Sequence, residues 1–76
     1  MVQQKQQAER VSGVSNVAYD LISVMNNKLE GIAALDVYKQ DAQGNQEIQS
    51  LFDEFQQRAV EDVNRIKSLL VQQLGQ

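Results

Sequence analysis

Five carboxylates, Glu30, Asp53, Glu54, Glu61 and Asp62, sit along two long segments with helical patterning. Carboxylates on facing helices are raw material for two kinds of chemistry. One is metal binding, where a di-metal bundle needs Glu side chains plus Glu-x-x-His on inward faces. The other is acid–base catalysis, which without His needs a carboxyl of raised pKa in a pocket. The chain has no His and no Cys, so imidazole ligands, thiolate ligands and disulfides are all excluded. Glu54 lies beside Phe55 on the outer side of its helix, and nothing in the pattern predicts a pocket. No phosphate cradle or nucleophile elbow is present. The chain is read as non-enzymatic, with no catalytic residue, no metal and no cofactor.

One polar constellation stands apart. If the chain folds back about Gly44, positions whose numbers sum to about 88 come level on 1.5 Å-per-residue helices. Asp62 then meets Asn26, while Glu61 and Val60 lie near Asn27 and Lys28. Asp62 belongs to the row Phe52, Phe55, Ala59, Asp62, Ile66, Leu69. Lys28 belongs to the row Ala18, Leu21, Met25, Lys28, Ile32, Leu35. Polar residues therefore interrupt both apolar stripes at one level. A buried carboxylate must be paired or hydrogen-bonded. Asn26, Asn27 or Lys28 is expected to do this for Asp62 and to fix the register of the helices. This is a structural polar layer rather than a reactive site.

The elements that position these residues follow from spacing. Between 11 and 42 the apolar residues step by threes and fours, from Val14 through Ala18, Leu21, Ile22, Met25, Leu29 and Ile32 to Leu35, which is helix and not strand. The second stripe runs from Ile48 through Phe52, Phe55, Ala59, Val63, Ile66 and Leu70 to Leu74. Between them lies Gln43-Gly44-Asn45-Gln46 in a chain without proline. Gly44 is suited to ending the first helix in the left-handed conformation. Asn45 is an N-cap for the second, with Glu47 in its positive first turn. Ser12 or Ser15 caps the start of the first. The predicted helices span about 14–42 and about 46–74, each about 43 Å long. Residues 1–10 read as a polar, Gln-rich tail or helix extension, with partial disorder favoured. Glu54–Arg58 and Glu61–Arg65 are i,i+4 pairs on a solvated face. Tyr19 and Tyr38 are expected at the edge of the core, rings covered and hydroxyls wet.

Seventy-six residues make one small domain. Such chains bury only about 60% of their extended surface when folded alone. Small scaffolds usually add a disulfide, a metal or a partner, and here the route left is self-association. Both stripes are wider than one two-helix seam. The expected architecture is all-α: an antiparallel two-helix hairpin that dimerises into a four-helix bundle. The residues expected to form its core and dimer contacts are Leu21, Ile22, Met25, Leu29, Ile32, Phe52, Phe55, Ala59, Ile66 and Leu70. The net charge of −3 comes without any basic run, which argues against nucleic acid as a partner. The polar N-terminus has no apolar signal core, and no stretch approaches the roughly 20 residues of a membrane span. The expected partner is a second copy, with room for an unidentified protein. The expected location is the cytoplasm.

The stretch over residues 19–70 resembles a ferritin-like or rubrerythrin-like hairpin of half-ferritin type. The residues that carry the likeness are Tyr19-Asp20-Leu21-Ile22-Ser23-Val24, Leu29-Glu30-Gly31 followed by Tyr38, Asp41-Ala42, Gly44-Asn45-Gln46-Glu47-Ile48, Leu51-Phe52-Asp53-Glu54 and Leu69-Leu70. The metal-binding members carry a Glu and a His three apart near the positions of Ala59 and Asp62, and this chain has neither there. Near the first-helix ligand, Glu30 is the only acid. The resemblance thus implies the bundle without the iron site. Three functions follow from this reading. The first is a non-enzymatic structural or interaction module of ferritin-like type. The second is a metal-carboxylate protein with degenerate ligands drawn from Glu30, Glu61 or Asp62. The third is a secreted helical hairpin that pairs or polymerises, although the prolines of needle turns and the Trp of WXG-type turns are missing here.

Overall fold

The computed structural model describes residues 10–75. Two long helices, α1 (Asn16–Asp41) and α2 (Gln46–Leu74), pack against each other as an antiparallel hairpin. The described residues are all helix, turn or loop, as the spacing predicts. No helix among them is long and apolar enough to cross a membrane. Residues 10–12 are also helical; of the Gln-rich tail expected at 1–10, residues 1–9 lie outside the described residues.

The ends of α1 and α2 are set by local chemistry. Gly13 has φ +76° and breaks the helical path before α1. Ser15 is extended, and its hydroxyl accepts from the Ala18 amide at 3.1 Å. These two residues start α1 at Asn16 rather than near 14, because a capping residue is itself outside the helix. At the other end the Ala42 amide donates to the Tyr38 carbonyl and the Gln43 amide to the Gln40 carbonyl. Gly44 then takes φ +94°. Asn45 caps α2, its side-chain oxygen accepting from the Ile48 amide at 3.2 Å. Glu47 sits in the first turn of α2, where a carboxylate meets the positive end of the helix.

A single seam joins the helices. On α1 it runs through Ala18, Leu21, Met25, Lys28, Ile32, Leu35 and Lys39; on α2 it runs through Gln49, Phe52, Gln56, Ala59, Val63, Ile66 and Leu70. All of these are buried or half-buried. Both series alternate steps of three and four, the seven-residue repeat of helices packed along one seam. The α1 row matches the row read from the sequence. The α2 row departs from it: Gln56 takes the place expected for Phe55, and the seam follows Val63 and Leu70 of the apolar stripe rather than Asp62 and Leu69 of the row drawn through Asp62. Phe55 is 44% exposed. Of the expected core residues, Leu70 is buried; Leu21, Met25, Ile32, Phe52, Ala59 and Ile66 are half-buried; Ile22, Leu29 and Phe55 are exposed on the hairpin. Among the described residues only Ala18, Val63 and Leu70 are buried hydrophobics. A pair of helices has one shared side, and everything off it stays in water.

The repeat also sorts the remaining residues onto two broad faces. One face carries the residues just before alternate seam positions, such as Val24, Tyr38, Ile48, Phe55 and Leu69. The other carries residues just after the intervening positions, such as Ile22, Leu29, Asp36, Asp53 and Val60. Near the turn the two faces differ sharply. A groove lined by Tyr38, Asp41, Ala42, Ile48 and Phe52 opens on the first, where the Tyr38 and Phe52 rings lie 6.2 Å apart at 57°. A groove lined by Asp36, Lys39, Gln49 and Asp53 opens on the second.

The turn yields a test. A Cβ added at Gly44 meets nothing within 4 Å, so Gly44→Ala changes backbone energy alone. It is expected to destabilise the hairpin by about 1–2 kcal/mol, the cost of left-handed backbone for an L-residue. Gly44→Asn should cost less, because Asn tolerates that region. Urea denaturation checks both, and equal midpoints for wild type and Ala would contradict the turn geometry.

Candidate functional site

Two polar clusters cross the seam. The first lies at mid-hairpin and contains the residues singled out from the sequence. Lys28 Nζ donates to Asp62 Oδ2 at 3.0 Å, and Arg65 Nη1 lies 3.9 Å from Asp62 Oδ1. Of Asn26, Asn27 and Lys28, it is therefore Lys28 that reaches Asp62. Asn26 and Asn27 are exposed; the Asn26 amide leans along its own helix toward Glu30 Oε1 at 3.4 Å. The Lys28 and Asp62 side chains are 35% and 41% exposed, so the layer sits at the edge of the seam and not inside it. An ion pair this wet contributes about 0–1 kcal/mol. Glu61 is exposed, and Arg65 reaches Asp62 rather than Glu61. Glu54 and Arg58 do pair as the spacing predicts, at 2.8 Å.

The second cluster lies nearer the turn and was missed. Lys39 occupies a seam position with a side chain only 23% exposed. Its Nζ donates to Gln56 Oε1 at 2.7 Å and to Asp53 Oδ1 at 3.2 Å, with Asp36 at 3.8 Å. Gln56 Nε2 donates to Asp36 Oδ1 at 2.7 Å and to the Ile32 carbonyl at 3.0 Å. Gln49 Nε2 reaches the Lys39 carbonyl at 3.1 Å. The Gln56 carboxamide is thus held at both ends, by a cation on its oxygen and by two acceptors on its nitrogen. The signal for this cluster is the strict alternation of threes and fours. Continued from Leu35 it lands on Lys39, and started at Phe52 it lands on Gln56 and not on Phe55.

Both clusters bridge α1 and α2 across the seam. Among the described residues no polar or charged side chain is fully buried, and no buried polar atom lacks a partner. No three carboxylates among them converge to hold a metal ion. Asp62 already faces two cations, and Asp36 and Asp53 share Lys39. The grooves beside the clusters are open to solvent and enclose nothing. What the arrangement does is tie α1 to α2 at two levels, through side chains whose partners are fixed in number and direction.

The Gln56 bridge is open to test. Gln56→Ala removes the acceptor of Lys39 and the donor of Asp36 at a half-buried position, and is expected to cost about 1–2 kcal/mol. Gln56→Leu supplies the apolar seam residue the repeat calls for, and is expected to recover most of that loss. Equilibrium urea unfolding measures both; an unchanged midpoint in Gln56→Ala would show that the bridge contributes nothing.

No protein-family model, curated protein or solved structure matches the chain.

Proposed function

We propose that the chain is a non-enzymatic helical hairpin that pairs with a second copy of itself. Two hairpins would complete a four-helix bundle of ferritin-like type, serving as a structural or interaction module. The observation that carries this reading is the mismatch between apolar content and burial. Hydrophobic residues make up 42% of the chain. Yet Ile22, Leu29, Ile48, Leu51, Phe55 and Leu69 each keep more than two fifths of their surface in water. Scattered apolar residues are ordinary on a surface, but contiguous ones mark an interaction site. Among the described residues the ionisable side chains are all at least partly exposed, which supports a module rather than a site of tuned acid–base chemistry.

Two measurements test the reading. Sedimentation equilibrium of the full 8.6 kDa chain at micromolar concentration should give twice the monomer mass. The melting temperature should rise with concentration, as mass action requires of a folded dimer. A folded monomer whose melting temperature ignores concentration would overturn the proposal. The metal-carboxylate reading is separated by calorimetry with Fe(II), Mn(II) and Zn(II). No stoichiometric binding is expected, because the Asp62 carboxylate is engaged by Lys28. Stoichiometric heat that vanishes in Asp62→Ala would put metal binding first.

A further inference from the structure

Resting on the dimer reading, we infer which face of the hairpin the second copy covers, and that it lies end for end, its turn over the open end of the first. The face is the one bearing Val24, Tyr38, Ile48, Phe55 and Leu69. All five are exposed, and together they run the length of the hairpin, from near its open end to its turn. The opposite face is apolar only over its open half, at Ile22, Leu29 and Val60; toward the turn it becomes Asp36, Lys39 and Asp53. Covering that half would remove the Lys39 cluster from water with its carboxylates already shared, a desolvation with no new partner to offset it. The described chain extends 51 by 23 Å across. A face of that size has room for the about 800 Å² per partner that a stable interface uses.

Charge and side-chain size fix the direction. The turn half, residues 30–60, holds six carboxylates and two cations, a net charge of −4. The remainder of the two helices, 16–29 and 61–74, holds three of each and is neutral. Two copies packed turn beside turn would press two such acidic halves together, and like-charge juxtaposition costs affinity. End for end, each acidic half meets a neutral one. Bulk follows the same division. The large rings Tyr38, Phe52 and Phe55 crowd the turn half, whereas the open half of this face offers Val17, Val24 and Leu69. Alternation of large against small is how facing layers interdigitate. A two-fold axis across the hairpin at the Lys28–Asp62 level sets Val17 against Tyr38 of the other copy. It also sets Val24 against Gly31 and Phe55 against Leu69. The Lys28–Asp62 pairs meet at the axis, where covering also costs desolvation, but of one paired carboxylate per hairpin rather than the two that share Lys39 on the opposite face.

The chain has no Cys, so a single introduced thiol reports on one place. Asn26 and Asn27 are adjacent, both exposed, at the level of the axis. The repeat puts Asn27 on the proposed interface side and Asn26 on the other. Mild oxidation of Asn27→Cys should yield mostly disulfide-linked dimer, and Asn26→Cys mostly free monomer on a denaturing gel. The reverse pattern overturns the face while leaving the dimer intact. Spin labels on Gln43→Cys, at the exposed turn, should lie about 40 Å apart or more end for end, from 1.5 Å per residue. Turn-beside-turn packing would bring them within about 25 Å, given interaxial spacings of 8–10 Å, and would overturn the direction. Absence of both cross-link and dipolar coupling, with a monomer mass in solution, overturns the dimer itself.

Discussion

Two helices share one seam, and the rest of this structure depends on that limit. Each helix buries the residues that recur at alternate steps of three and four, and can bury no more. The outcome is that Ala18, Val63 and Leu70 alone among the described residues are buried hydrophobics. Every other large apolar side chain is a compromise between the seam and water. On one seam a chain of this composition leaves many large apolar side chains partly in water.

Within the seam, polar residues occupy positions that apolar ones would fill at lower desolvation cost. Lys28, Lys39, Gln49 and Gln56 all stand at seam positions. Their effect is directional. Gln56 fits only where Lys39, Asp36 and the Ile32 carbonyl converge, and Lys28 reaches only Asp62. An apolar seam alone tolerates sliding by a whole repeat, because Leu packs against Leu at every level. Fixed donors and acceptors do not, so these residues exchange some stability for a defined register.

That exchange ties the seam to the surface. Apolar side chains excluded by Gln56 and its neighbours stand at adjacent positions: Phe55 beside Gln56, Ile48 beside Gln49, Leu69 beside Leu70, Tyr38 beside Lys39. They converge on one face because each precedes a seam residue by one position. The same registration sends Asp36 and Asp53 to the opposite face, where Lys39 meets them. One polar and one apolar side near the turn are consequences of a single repeat.

The helices, their antiparallel return and the chemistry of the turn can be read along the chain. Those features are local: Gly44 at positive φ, Asn45 and Ser15 as caps and the steps of three and four all depend on residues within a few positions of one another. The α1 seam was legible as well, because the row through Ala18, Leu21, Met25, Lys28, Ile32 and Leu35 keeps the alternation of three and four without a break. The α2 seam, by contrast, is set by packing between the helices. There Phe55 and Gln56 compete for one place, and hydrophobicity read along the chain favours Phe55. What settles the competition is the surface of α1 at that level, where Ile32, Asp36 and Lys39 present two acceptors and a cation that a carboxamide can satisfy and a ring cannot. The same holds for Asp62. Its level beside Asn26, Asn27 and Lys28 could be counted from the turn, but which of them reaches it depends on rotation about both helix axes. That rotation is set by packing along the whole length of the seam and by no residue in particular.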